Sequence, residues 1–229
     1  MTATRPPASP RAVVESCTRP AVPAYVPEVR LRVADEVFGL WRRVGGLPYW
    51  AFPWAGGLAL ARHLLDHPDL VAGRTVLDLA SGTGLVAIAA AKAGAASVVA
   101  ADVDPLAGAA IAVNAEANGV RVAVLVEDLL ADDLSTGPDR PSGAAEERRA
   151  AAAAEVVLAG DVFYERPMAE RVMAYLERAR RRGATVVVGD PGRAYLPRDR
   201  FTPLSRHRVP GTGLLEDGEV KAATVWCLP

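Results

Sequence analysis

The segment from residue 76 to residue 105 constrains the fold of this chain most, because it contains a complete strand, turn, helix and strand unit. An apolar run starting at Val76 leads into Ser-Gly-Thr-Gly, a helical stretch from Leu85 to Ala93, and a second apolar run that ends in Asp102. Glycines in such a turn let the backbone approach a ligand without an intervening Cβ. The unit predicts the nucleoside-binding crevice of a parallel α/β sheet.

Two carboxylates in this unit indicate the cofactor. Asp102 lies about twenty residues beyond the glycines, where a carboxylate can accept hydrogen bonds from both ribose hydroxyls. Together with Ala87, the turn also matches the loose G-x-G-x-x-A pattern of dinucleotide sites. The glycines alone therefore do not distinguish a dinucleotide from another adenosine cofactor. Asp78 would repel a pyrophosphate, whereas it suits the ammonium and sulfonium of S-adenosylmethionine. We predict S-adenosyl-L-methionine as the cofactor, bound by Asp78, Gly82, Thr83, Gly84, Asp102 and Val103.

A third apolar run, from Val122 to Val126, ends in Glu127 and Asp128. The carboxyl ends of parallel strands meet at one edge of a sheet, so these acids should lie beside the same crevice. Asp128, or the backbone of Leu129, is predicted to bind the adenine amino group.

The fourth apolar run leads into Asp161, Phe163 and Tyr164, which we expect at the same edge. Methyl transfer from a sulfonium needs a neutral nucleophile that approaches in line, so the protein must position and desolvate the acceptor. Asp161 and Tyr164 are the predicted catalytic residues: Asp161 would hold a lysine amine while Phe163 and Tyr164 pack its methylene stem. A carboxylate also favours the charged form of a lysine whose reference pKa is about 10.4. Proton loss must then occur through water or through partial desolvation.

A proline-restricted aromatic loop, residues 48 to 54, precedes the first core helix. Its aromatic residues either pack in the core or form a wall of the cleft. In the second case Trp54 or Trp50 would wall the cofactor or substrate cleft, and we predict that Trp50 contacts the substrate.

The remaining pattern predicts alternating strands and helices that end in an antiparallel edge hairpin. Residues 1–25 are predicted to be a disordered arm, and residues 26–229 a single domain that begins with a helix within residues 26–44. Residues 130–154, which contain few large apolar side chains, are predicted to be a solvated insertion with a short helix. Strands are predicted at 75–79, 97–102, 121–126, 155–159, 184–189, 205–209 and 221–228, with helices at 55–65, 85–93, 106–118 and 167–182.

Composition narrows the possible partners. The net charge of −1 provides no basic field for nucleic acid, and no uncharged apolar run reaches membrane-spanning length. Cys17, Cys227 and three scattered histidines do not have metal-ligand spacing, so no metal site is predicted. We expect a cytoplasmic monomer that binds neither nucleic acid nor membrane.

Beyond these patterns, the sequence resembles the lysine methyltransferases that modify the β-subunit of electron transfer flavoprotein, which are seven-β-strand enzymes. The resemblance starts near Val26 and lies in Pro48-Tyr49-Trp50-Ala51 with Trp54, residues 76–84, Asp102-Val103-Asp104-Pro105, residues 160–164, Gly189-Asp190-Pro191-Gly192-Arg193 and Thr224-Val225-Trp226. It implies a three-layer, Rossmann-like class I methyltransferase fold with a mostly parallel seven-stranded sheet. In this group, an Asp-x-x-Tyr motif after the fourth strand marks protein-lysine acceptors. By the same resemblance, Asp102 would bind ribose and Trp54 would line the cofactor site.

The resemblance implies that the flavoprotein β-subunit is the acceptor, and three alternatives stay open. Methylation of a ribosomal protein such as L11 is suggested by the shared Asp-Val-Asp-Pro pattern, although the Asn-Pro-type motif usual in those enzymes after the fourth strand is absent here. Small-molecule N-methylation would need a closed pocket. A non-enzymatic alternative is an assembly chaperone that holds the cofactor only as a structural ligand.

Overall fold

A computed structural model describes residues 9–131, 144–211 and 220–229. The helices are α1 (Pro10–Cys17), α2 (Val37–Val44), α3 (Ala55–Asp66), α4 (Leu85–Lys92), α5 (Pro105–Asn118), α6 (Ala145–Ala152) and α7 (Arg166–Arg181). The strands are β1 (Arg19–Ala21), β2 (Leu31–Val33), β3 (Thr75–Leu79), β4 (Ser97–Asp102), β5 (Ala123–Val126), β6 (Val156–Gly160), β7 (Thr185–Asp190), β8 (Thr202–Val209) and β9 (Lys221–Leu228).

In the described part of the chain, the main sheet has seven strands in the order β5-β4-β3-β6-β7-β9-β8. Strands β3 to β7 are parallel, and β9 runs antiparallel to both β7 and β8. The strand order runs outward in opposite directions from β3 and β6, which makes their carboxyl ends the topological switch point where ligands bind in such sheets. This arrangement confirms the predicted α/β fold with its antiparallel edge hairpin.

Helices cover both faces of this sheet in three layers. Helices α3, α4 and α5 pack on one face through residues such as Leu60, Ile88 and Ile111, all fully buried. Helices α6 and α7 cover the other face. Two glycines bring α3 close to β7, since a Cβ on Gly189 would lie 2.1 Å from the carbonyl oxygen of Gly56. This close approach places the start of α3 beside the carboxyl end of β6.

The N-terminal segment differs from its prediction. Within the predicted disordered arm, residues 10–17 form α1, which is capped by a hydrogen bond from the Ala12 amide to the Ser9 hydroxyl. Val14 of α1 is fully buried, and Arg11 forms two hydrogen bonds with Glu116 on α5. Strand β1 pairs with β2. The order of this segment therefore comes from contacts with α5 and β2, which local composition does not reveal.

The predicted leading helix within residues 26–44 is also replaced by two shorter elements, β2 and α2. Val29 and Leu31 are buried and alternate with exposed or half-buried neighbours, which is the period of a strand. Helix α2 begins only after Glu36, whose carboxylate accepts a hydrogen bond from the Gly39 amide at 2.9 Å. The predicted helix is therefore present only over residues 37–44.

Part of the predicted solvated insertion belongs to the packed layers. Residues 145–152 form the expected short helix, α6, but its Ala151 is buried against the sheet and its Arg148 pairs with Glu127. Small alanine side chains let this helix lie close to the strands. The predicted insertion also includes residues 132–143, which lie outside the described residues. Within the described ranges, no helix is long and apolar enough to cross a membrane.

Candidate active site

A cavity of about 610 Å³ opens at the carboxyl ends of β3, β4 and β6, at the switch point. Its lining is mainly apolar with a few convergent polar groups, as is usual for a cofactor site. It includes most of the predicted site residues: Trp50, Trp54, Asp78, Gly82, Thr83, Asp102, Val103, Asp128, Leu129, Asp161 and Tyr164. The folded chain thus brings together residues from positions 50 to 164.

The glycine turn between β3 and α4 forms the floor of this cavity. Gly82 has φ +55°, and a Cβ there would be in ordinary contact with the Tyr49 carbonyl oxygen at 3.7 Å. Gly84 has φ +80° and lies outside the cavity lining; a Cβ there would lie 3.2 Å from Ile111. Gly82 therefore serves the turn through its positive φ, whereas Gly84 also lets α4 pack on α5. Thr83 is buried, and its hydroxyl accepts a hydrogen bond from the Leu85 amide.

Asp102 ends β4 and points to the same turn. One carboxylate oxygen accepts the Gly82 amide at 2.9 Å, and the other accepts the Asp104 amide at 3.1 Å. Burial raises the pKa of Asp102 above its ordinary value. A carboxylate has about four acceptor positions, so those that remain can receive two ribose hydroxyls. Val103, the next residue, is largely exposed at the rim of the cavity.

Asp78, near the end of β3, is the most deeply buried carboxylate of the site. Its Oδ2 accepts hydrogen bonds from the Ser81 hydroxyl at 2.5 Å and from the Ala87 amide at 3.0 Å. Burial raises the pKa of Asp78 to about 7 despite these bonds. A nearby cation would favour the ionised form, so the position suits the cationic end of a ligand.

Aromatic residues form one wall of the cavity. The rings of Tyr49 and Tyr164 lie 5.0 Å apart, and Trp54 donates its indole N–H to the Tyr49 carbonyl at 2.9 Å. Burial raises the pKa of the Tyr164 phenol. Trp50 is 1% exposed, and its indole nitrogen has no hydrogen-bond partner within the described chain. Trp54 and Tyr164 thus lie where predicted, while Trp50 forms part of the buried base of the wall.

Asp161 follows β6 and lies in a constrained loop, with φ +62°. Its side chain is almost fully buried, and Oδ2 accepts the Gly56 amide at the start of α3 at 2.9 Å. Its Oδ1 accepts a hydrogen bond from Nε of Arg193 at 2.5 Å. Asp161 therefore faces the cavity, as predicted, but as half of an ion pair with Arg193.

Phe163 does not line the cavity. It is fully buried on the opposite side of the loop, in the core beneath α7, with its ring 6.1 Å from that of Phe201. Val162 and Tyr164 line the cavity while Phe163 between them packs in the core, so Tyr164 and Phe163 cannot both enclose one acceptor. The predicted substrate contact of Phe163 is therefore replaced by a structural role.

Asp128 and Leu129 lie at the end of the cavity beyond β5. Asp128 forms an ion pair with Arg171 at 2.6 Å and accepts the Leu130 amide at 2.9 Å. Arg171 and the amide hydrogen bond lower the pKa of Asp128 against the opposing effect of burial, which is the largest single influence. Leu129 is buried and lines the cavity. Both residues line the cavity, and the Asp128 carboxylate already has two partners.

Two residues that pattern analysis did not assign a role are prominent in the site. Arg193 pairs with Asp161, and Tyr49 contacts both Trp54 and Tyr164. Both occur in the motifs Pro48-Tyr49-Trp50-Ala51 and Gly189-Asp190-Pro191-Gly192-Arg193, which carried the resemblance. That resemblance was a signal for their importance, but it did not reveal their contacts.

The donor set fits S-adenosylmethionine. Asp102 has acceptor positions left for ribose, Gly82 lines the cavity at the turn, and Asp78 supplies a buried carboxylate for the cationic end. A pyrophosphate would instead face carboxylates along this edge.

Comparisons with known proteins agree with this geometry. Residues 60–141 match the family model for ribosomal protein L11 methyltransferase, PrmA. Electron transfer flavoprotein β-subunit lysine methyltransferases are similar over most of the chain. The Xenopus laevis protein is 34% identical, over 95% of this chain and 86% of its own length. The human protein is 36% identical, over 89% of this chain and 75% of its own length. A putative S-adenosylmethionine-dependent methyltransferase from Streptococcus mutans shares the fold, with a TM-score of 0.52, 14% identity and coverage of 92% and 55%.

The fold, the site and these curated relatives together define a class I methyltransferase that uses S-adenosylmethionine. Within this class, the chain belongs to the electron transfer flavoprotein β-subunit lysine methyltransferase family.

Proposed function

We propose that this enzyme transfers methyl groups from S-adenosylmethionine to lysine side chains of the electron transfer flavoprotein β-subunit. The observation that carries the proposal is the cavity in which Asp161 and Tyr164 face the same space as Asp78 and Asp102. The relatives named for this acceptor cover about nine-tenths of the chain, including the residues of that cavity.

The proposed site residues divide by position. Asp78, Gly82, Thr83, Asp102, Val103 and Leu129 would hold the cofactor, with Trp54 as a wall. Asp161 would accept a hydrogen bond from the lysine amine, and Tyr164 and Tyr49 would pack against its methylene stem. Cofactor binding supplies an electrophilic methyl group on a sulfonium. The residues around Asp161 then orient the amine lone pair in line with that carbon and exclude water.

The mouth of the cavity supports a protein acceptor. Leu47 and Val103 line it, and both are more than one-third exposed. An open entrance with apolar rim residues suits a lysine that projects from a protein surface better than a free amine that must be enclosed. This argument favours the protein acceptor over small-molecule N-methylation.

The test is mass spectrometry of purified flavoprotein β-subunit after incubation with the enzyme and S-adenosylmethionine. We expect mass increases in multiples of one methyl group, located on lysine by peptide analysis. Asp161→Asn should reduce transfer at least about a hundredfold while cofactor affinity is kept. Asp199→Asn, which changes an exposed carboxylate outside the cavity, is the matched control and should behave like the wild type.

A second candidate acceptor is ribosomal protein L11, favoured by the family match at residues 60–141. That match covers the cofactor-binding half and ends before Asp161, so it supports the donor more directly than the acceptor. Incubation of L11 under the same conditions separates the two. Labelling of L11 without labelling of the flavoprotein subunit would reverse our assignment. Binding of the flavoprotein subunit without methylation of any acceptor would support the chaperone alternative.

Our proposal for organisation and location is a monomeric, single-domain enzyme of the cytoplasm that binds neither nucleic acid nor membrane. Cys17 and Cys227 are both free thiols, as is common in a reducing compartment. The net charge of −1 argues against a general affinity for polyanions.

A further inference from the structure

The ion pair between Arg193 and Asp161 lies at the place where an acceptor amine would bind. Arg193 Nε lies 2.5 Å from Asp161 Oδ1, while the other carboxylate oxygen accepts the Gly56 amide. The guanidinium carbon lies 5.9 Å from the centre of the Trp54 ring. The Asp161 side chain is 3% exposed and that of Arg193 is 30% exposed. The Asp161 carboxylate therefore lines the cavity paired with a cation of the same chain, and the buried carboxyl group of Asp190 lies near both groups.

The backbone that carries Arg193 is held in place by a second carboxylate. Asp190, the last residue of β7, accepts the amides of Gly192 at 2.6 Å and Arg193 at 2.7 Å through its Oδ1. Asp190 is 1% exposed, and Gly192 has φ +92°, which favours glycine. These two hydrogen bonds direct the chain back toward Asp161. The Arg193 side chain thus starts from a fixed turn, so the ion pair is a built feature of the site.

An unpaired carboxylate would be a poor partner for a methyl acceptor. A lysine ammonium has a reference pKa of about 10.4, and an adjacent negative charge favours that protonated form. A protonated amine has no lone pair with which to attack carbon. A neighbouring cation has the opposite effect and favours the neutral amine.

We propose that Arg193 is a positioning residue for methyl transfer: it balances the charge of Asp161, so that Asp161 receives the acceptor lysine as a neutral amine. This inference rests on the proposed lysine acceptor. The neutral amine donates one N–H to Asp161 and keeps its lone pair for the methyl carbon. Arg193 acts through Asp161 and remains on it during the reaction.

The steps balance without a further reactant. The acceptor ammonium first releases one proton to water. The nitrogen lone pair then forms the new N–C bond while the C–S bond breaks, and that electron pair stays on sulfur. The product is a methylated ammonium, which loses a proton to water before any second transfer.

The experiment compares pH profiles of kcat with saturating acceptor and cofactor, because kcat reports groups in the enzyme–substrate complex. We expect Arg193→Gln to shift the rising limb of the kcat profile to higher pH by about one unit or more. At neutral pH kcat should fall about tenfold, and at alkaline pH it should recover. Arg193→Lys should keep the limb near its wild-type position, since it preserves the cation. Arg166→Gln is the matched control, because Arg166 stacks on Tyr195 and does not pair with Asp161.

The other possible results distinguish failure of this inference from failure of the proposed function. An unshifted limb in Arg193→Gln, or faster transfer at every pH, would overturn the inference; faster transfer would mean that Arg193 blocks the acceptor. If the wild type methylates no lysine, it is the proposed function that fails. Cofactor affinity and thermal unfolding are measured for each variant, and Arg193→Met replaces Arg193→Gln if the latter does not fold.

Discussion

Replacement of Asp102 tests the cofactor assignment most directly. Its carboxylate has about four acceptor positions, of which the Gly82 and Asp104 amides occupy two. The remaining two are available to the ribose hydroxyls. Asp102→Ala removes both interactions with the ligand and also the support of the glycine turn.

Hydrogen bonds to a charged group contribute about 1.5–3 kcal/mol each, so the loss of two weakens binding by about 3 kcal/mol or more. This corresponds to an increase of at least about a hundredfold in the Kd of S-adenosylmethionine. Asp102→Asn keeps one carbonyl acceptor and should lose less. Isothermal titration calorimetry with each variant measures both effects.

The comparison with Asp161 provides the control. Asp161→Asn should bind the cofactor with nearly wild-type affinity while methyl transfer is lost, since Asp161 is assigned to the acceptor side. A Kd for Asp102→Ala within about fivefold of the wild type would refute the ribose assignment, because even one charged hydrogen bond contributes more. Equal losses of cofactor affinity in both variants would show that the two roles are misassigned.

Three further predictions concern protonation, packing and the acceptor wall. Burial raises the pKa of Asp78 to about 7, and a cationic ligand would lower it, so cofactor binding should release a proton near neutral pH. The affinity for the cofactor should therefore increase about tenfold from pH 6 to pH 8, and this increase should be absent in Asp78→Asn. Calorimetry in buffers of different ionisation enthalpy measures the proton release. Gly189→Ala should destabilise the fold by about 3 kcal/mol or more, because its Cβ would overlap a carbonyl of α3, whereas Gly46→Ala, with open space around it, should leave the melting temperature unchanged. Tyr164→Ala should raise the KM for the acceptor with little loss of stability. Phe163→Ala should lower the free energy of unfolding by about 3–5 kcal/mol, because its side chain is fully buried. A lower KM in Tyr164→Ala, or a stable Phe163→Ala, would contradict this division of roles.

Prediction from sequence succeeded where one local pattern determined one element. Strands β3, β4 and β9 have the predicted bounds, because each is a mainly apolar run that begins at a polar residue, namely Thr75, Ser97 or Lys221. The N-terminal segment failed because its order depends on distant partners. Val14 is buried only by contact with other elements, and Arg11 finds Glu116 more than one hundred residues away.

The same division applies to the site. A strand-end position predicts which edge of the sheet a residue occupies, so Asp78, Asp102 and Asp161 were placed correctly in the crevice. It does not predict on which side of a loop a side chain lies. Phe163 was predicted to contact the substrate, whereas its side chain packs in the core. The partner of Asp161 could not be predicted from spacing either, because Arg193 comes from the loop after a different strand.

The sequence alone thus determined the sheet, its switch point and the cofactor, since these follow from short-range patterns of apolar runs, glycines and strand-end acids. Only the tertiary structure decided which side chains share the acceptor site and how their charges are balanced. The physical reason is that ion pairing and burial depend on distances between residues far apart in the chain, and those distances are set only when α3, β6 and β7 pack together.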